Sequence, residues 1–181
     1  NACTGDRGIE DARWMTALTA EALGCDADDV VVCSTGVIGR FLPKDVLEKG
    51  IPEVAKQLDN SPQAFNNAAR GMMTTDTFAK QTTRTVDIAG TNVRISAVAK
   101  GAAMIGPNMA TMLGVVMTDA ALSPEDADAM LRHSVNRSFN CISVEGHTST
   151  SDTVFLFANG AAGHSELDDE SRAALQAVID E

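Results

Sequence analysis

Two hydrophobic periods alternate along this chain. Between residues 8 and 23, Ile9, Ala12, Met15, Leu18, Ala22 and Leu23 recur at helical spacing, which gathers them on one apolar stripe with Gly24 as its stop. Asp29-Val-Val-Val-Cys33 is a β-branched run that reads as a buried strand. It leads into Ser34-Thr-Gly-Val-Ile-Gly39, a loop in which two glycines allow a tight turn. Pro43 stands where a helix can begin, and Val46, Leu47, Ile51, Val54, Ala55 and Leu58 extend its apolar face. Gly50 interrupts that pattern, so either a bend or two short helices is expected. Ser61-Pro62 opens a further helix running through Ala69.

From Thr85 the period drops to two. Residues 85–88 and 92–99 alternate on either side of Ala89-Gly90-Thr91, the pattern of a hairpin with a short glycine turn. Residues 113–117 and 153–158 are two more apolar strands. Between them Ser123-Pro124-Glu125-Asp126 is a helix start, with a serine cap, proline in the first turn and acids beside the positive helix end. Ala127, Met130, Leu131 and Val135 form that helix's buried face. The expected order is helix, strand, helices, hairpin, strand, helix, strand, helix, an α+β layout. No repeat, low-complexity segment or linker interrupts it.

Composition narrows the function classes. At 181 residues the chain is one domain or two small ones. A net charge of −11 argues against nucleic acid as a partner, which requires clustered Lys and Arg. No apolar run is long enough to span a membrane, and no charged-then-apolar leader opens the sequence. Cys3, Cys25, Cys33 and Cys141 lack CxxC spacing, and His133, His147 and His164 are scattered. No metal site is expected; the thiols read as buried and free in a reducing, cytoplasmic setting. The chain begins without Met and stops inside the amphipathic pattern of Leu175, Val178 and Ile179, so a piece of a longer protein is expected.

The stretch Met104-Ile-Gly-Pro-Asn-Met-Ala-Thr-Met-Leu113 puts one hydroxyl, Thr111, after a small alanine and a turn, at the head of an apolar strand. A threonine there is ordinarily a β-former with a satisfied hydroxyl. It becomes a nucleophile only beside a base, and one economical base is its own α-amine. Attack of the Thr111 hydroxyl on the Ala110 carbonyl, followed by an N-to-O acyl shift and hydrolysis, would free that amine. The β-methyl restricts the side-chain rotamer and helps hold the hydroxyl on line.

Lys100-Gly-Ala-Ala-Met-Ile-Gly-Pro-Asn-Met-Ala-Thr-Met-Leu113 closely resembles the self-cleavage segment of the ornithine acetyltransferase family, whose usual form is KG-x-x-MI-x-PNMATML, cut between Ala and Thr. Asn1-Ala-Cys-Thr-Gly5, Ser34-Thr-Gly-Val-Ile-Gly39, Met73-Thr-Thr-Asp-Thr-Phe78 and Thr148-Ser-Thr-Ser-Asp-Thr153 match further family blocks in the same order. The resemblance implies a layered α/β sandwich of the self-processing, N-terminal-nucleophile-like type. Cleavage at Ala110–Thr111 would make residues 1–110 the end of an alpha chain and 111–181 the start of a beta chain, within a heterotetramer.

It also implies that freed Thr111 takes the acetyl group of N-acetylornithine and passes it to glutamate in arginine biosynthesis. Thr35 and Gly36 would supply the oxyanion hole, and Thr74, Lys100 and Thr111 would bind substrate. No cofactor is implied, and whether acetyl-CoA is a second donor stays open. Asp76 and Asp152 read as local structural caps rather than acids in the chemistry.

Two departures stand out: Glu145-Gly146-His147 replaces the family's Asp-Gly-Asp, and Phe78-Ala79-Lys80 replaces Phe-Pro-Lys. The family precursor is about twice this length, and its remaining part carries further substrate ligands. A hydrolase using the same Thr amine, or an uncleaved non-catalytic relative, are the competing readings.

Overall fold

The structure, a computed structural model, describes residues 2–102, 112–164 and 167–181. The chain divides into two compact units, Asn1–Asn67 and Ala68–Glu181.

In the first unit, helix α1 (Gly5–Leu23) ends at Gly24, whose positive φ of 72° lets its N–H reach back to the Ala20 carbonyl. Helix α2 covers Lys44–Ala55. Asp11 of α1 is buried, with the Lys44 ammonium 2.7 Å away and the Arg7 guanidinium at 3.8 Å. Those cations also lie over Trp14 and Phe41 respectively, so one buried carboxylate joins the start of α2 to the middle of α1.

One sequence expectation fails in this unit and another is narrowed. The run read as a strand over 29–33 is a single 3-10 turn, Ala27–Asp29, followed by chain that is extended at Val30 but paired to no strand. Its β-branched residues fit extended backbone, yet a strand needs a hydrogen-bonding neighbour, and Val31 and Val32 stay exposed. Nor does Gly50 divide α2 into two short helices: the helix continues through both Gly50 and Pro52 and stops at Ala55, short of Leu58. Glycine costs a helix only about 1 kcal/mol, too little to end it. The expected burial of the cysteines fails as well: all four are free, but Cys3, Cys25 and Cys141 are exposed and Cys33 is half-buried.

Helix α3 (Pro62–Gly71) crosses the boundary between the units, with the Ser61 hydroxyl accepting the Ala64 N–H. The second unit is α+β. Its sheet has the order β1-β2-β3-β4, with β1 Lys80–Ile88, β2 Thr91–Lys100, β3 Leu113–Thr118 and β4 Thr153–Ala158. The first three strands are antiparallel neighbours, and β4 runs parallel to β3. A parallel return needs a crossover, which helix α4 (Pro124–Arg137) supplies; it is capped as expected by Ser123, whose hydroxyl accepts the Asp126 N–H. Helix α5 (Asp169–Ile179) completes the unit.

The core gathers Ile88, Val93 and Ile95 of the hairpin with Ala120, Met130 of α4 and Leu175 of α5. Along β2, residues 93 and 95 point to one face and 98 and 100 to the other. Val98 and Lys100 are buried as fully as the core pair. Lys100 therefore closes its strand on the face turned away from the helical core.

Candidate functional site

The strand register assembles one end of the sheet. Lys100 at the end of β2 pairs with Leu113 at the start of β3, and Leu113 pairs with Thr153 at the start of β4. Lys80, where β1 begins, pairs with Ala99 beside them. Four strand ends thus meet where the sequence placed its chemistry. Ala110 and Thr111 lie outside the described residues, but Met112, one peptide bond beyond Thr111, is described and buried.

Lys100 is only 4% exposed, and its ammonium donates to the Thr74 hydroxyl at 3.0 Å. Two of the three residues singled out for substrate binding, 26 positions apart, are therefore in direct contact. Asp76 fixes the loop that carries Thr74. One oxygen accepts the Gly101 N–H at 2.7 Å and the Lys80 ammonium at 2.5 Å, and the other receives the Thr74 N–H at a long 3.4 Å. Burial alone would push this carboxyl's pKa up; the Lys80 ammonium and the Gly101 and Thr74 amides outweigh it and hold the pKa below the ordinary value.

Asp152 sits on the far side of the row. Its Oδ1 accepts the Met112 N–H at 2.8 Å, while Oδ2 is buried with no hydrogen-bond partner among the described residues. Burial pushes this carboxyl's pKa up, offset in part by the Met112 amide, the Ser149 hydroxyl and the charge of Lys100. The Met112 carbonyl accepts the Thr153 N–H at 3.2 Å. Gly114 follows Leu113 on β3, where a Cβ would come within 3.3 Å of the Val154 side chain, so a larger residue would require that side chain to give way.

The expectation that Asp76 and Asp152 are local caps holds for Asp76 only in its bond to the Thr74 N–H, and the remaining contacts extend it. Each ties together segments far apart in sequence, Asp76 across 25 residues to Gly101 and Asp152 across 40 to Met112. No spacing rule reveals such bonds, because only the strand register brings the partners together.

Thr35 and Gly36 belong to the first unit, on the stretch between the 3-10 turn and α2. Thr35 is half-buried and Gly36 exposed. The loop's second glycine, Gly39, has φ of 78° and donates its N–H to the Ala2 carbonyl at 2.9 Å, which links the opening residues of the chain to this loop. His147, the departure from the family pattern, is exposed, with Nδ1 3.8 Å from the Glu145 carboxylate. Among the described residues no group of His, Cys, Asp or Glu could hold a metal ion, and no helix is long and apolar enough to cross a membrane.

Comparison with known proteins finds similarity to one family along the whole chain. The model of the ArgJ family matches residues 1–181. An arginine biosynthesis bifunctional protein ArgJ from Geobacter sulfurreducens is 47% identical over 179 residues, covering 99% of this chain and 45% of that protein. The Rhodopirellula baltica protein of the same name is 50% identical over 160 residues, 88% of this chain and 39% of the relative. The crystal structure of arginine biosynthesis bifunctional protein argJ from Bacillus halodurans superposes with a TM-score of 0.50 at 43% identity, over 59% of this chain and 55% of that one. The chain thus spans less than half the length of these curated relatives.

Proposed function

The chain belongs to the ArgJ family, and from that premise we propose that its parent protein is a self-cleaving acetyltransferase of arginine biosynthesis, with Thr111 as nucleophile. The observation that supports this best is the convergence of Lys100, Thr74 and Asp152 on the strand end that begins one residue after Thr111.

In the first step the Thr111 hydroxyl adds to the Ala110 carbonyl carbon, the C–N bond breaks, and Ala110 is left as an ester on Thr111. Water hydrolyses the ester, giving a carboxylate on Ala110 and a free α-amine on Thr111. In turnover that amine takes the Thr111 hydroxyl proton as the oxygen attacks the acetyl carbonyl of N-acetylornithine, then gives the proton to the departing ornithine amine. The amine of glutamate attacks acetyl-Thr111 in turn, forming N-acetylglutamate and restoring the hydroxyl. Each half-reaction develops an oxyanion, the charge assigned here to Thr35 and Gly36; losing one such donor typically costs about 3 kcal/mol of transition-state stabilisation.

Thr74 and Lys100 fit the binding of a substrate carboxylate. The Lys100 ammonium carries the charge opposite to a carboxylate, and burial at the sheet end strengthens a charge-assisted bond to an anion. Acetyl-CoA as a second donor is consistent with the name of the relatives, which calls them bifunctional. The α and β products would stay together in one cytoplasmic heterotetramer.

The test is transfer by the full-length parent supplied with N-acetylornithine, with and without glutamate. Glutamate-dependent formation of N-acetylglutamate, abolished in Thr111→Ala, is the expected result. Steady release of acetate without any amine acceptor would identify a hydrolase instead.

A further inference from the structure

Met112 is gripped on both sides of its backbone by one segment. The bond from Thr153 N–H to its carbonyl continues the pairing of β3 with β4. The bond from its own N–H does not: the acceptor is a side chain, Asp152, 40 residues further along the sequence. That carboxylate spends one oxygen on Met112 and keeps the other buried without a hydrogen-bond partner among the described residues, an unfavourable arrangement for a group whose only duty is to hold a strand end. Lys100, in the same cross-strand row, acts on it electrostatically from β2.

We propose that Asp152 is a positioning residue for the Thr111 nucleophile, fixing through the Met112 N–H the peptide that joins Thr111 to β3. The inference rests on the reading of Thr111 given above and adds a residue to it. Covalent connection carries the effect: Met112 N is bonded directly to the Thr111 carbonyl carbon, so anchoring that nitrogen limits the directions the threonine can take. Nucleophilic attack tolerates little error, and a misplacement of about 1 Å can cost a factor of about 10² in rate. Lys100 completes the device by balancing the charge Asp152 brings to the row. The Lys100 ammonium that bonds Thr74 on one side thereby also steadies the carboxylate that holds Met112 on the other.

Three variants of the full-length parent test this. Asp152→Asn keeps an oxygen that can accept the Met112 N–H; Asp152→Ala and Asp152→Val remove it, one leaving a void and the other filling it. Precursor cleavage is followed by intact mass over time, kcat and KM are measured on protein already cleaved, and a thermal melt reports folding.

The expected result is that Asn cleaves within about threefold of the parent, whereas Ala and Val slow cleavage tenfold or more and lower kcat with KM little changed. If Ala fails to fold, Val carries the comparison. Folded Ala or Val protein that cleaves and turns over within about threefold of the parent would overturn the proposal, as would an Asn variant slowed as much as they are. A parent that never cleaves is a different result, because it removes the Thr111 reading beneath the proposal.

Discussion

At Asp76 a single carboxylate joins the loop carrying Thr74 to the end of β2, and its three partners make it a group whose charge the fold needs. Its pKa is held below the unfolded value, which for an aspartate is about 3.9. The sign follows directly: the stability it contributes is fully present above that value and is lost as pH falls through the lower folded one. Asp76→Asn in the full-length parent should therefore be less stable at neutral pH, with the gap closing as the solution is acidified towards pH 2. Denaturant midpoints measured at several pH values would show this, and a gap of constant size would mean the charge is not the stabilising feature. Asp152 runs the other way, since burial raises its pKa and protonation relieves the folded state. At this scale the sequence was legible only where residues sit inside recognisable blocks. Thr74 and Lys100 were singled out that way, whereas the bonds of Asp76 to Gly101 and Asp152 to Met112 depend on register and had no local signal.

The elements whose stability is decided locally were the easiest to read. The hairpin, the Ser123 cap and the glycine stop of α1 all depend on residues within a few positions of one another, and all are present. The strand expected over 29–33 depended on a partner that no local pattern can supply, and it is unpaired. Within the hairpin the strands are longer than their alternation suggested, leaving Ala89 and Gly90 as a two-residue turn with φ of 50° and 84°. Positive φ at both positions is the type I′ pattern, in which Asn-Gly is strongly preferred; alanine pays a steric penalty of about 1–2 kcal/mol for the left-handed region. Ala89→Asn should raise stability by about 0.5–1 kcal/mol, read as a higher denaturant midpoint at an unchanged slope. A lower midpoint would show that the turn is not limiting in this way.

On the scale of the whole molecule, the α+β class follows from the order of elements, while the division into two units at residues 67 and 68 does not. Helix α3 runs straight across that boundary without a linker composition to mark it. The family relationship extends over both units, and the account of function turns on one covalent event in the parent, breakage of the Ala110–Thr111 bond. Intact mass spectrometry of the purified full-length parent measures that event most directly. The account predicts two chains whose masses sum to the precursor plus one water, the second beginning Thr-Met-Leu-Gly. Thr111→Ala should give one intact chain with no transfer, and Thr111→Ser, which keeps the hydroxyl but loses the restraining methyl, should cleave more slowly. A single uncut parent chain that still carries acetyl groups from N-acetylornithine to glutamate would contradict it.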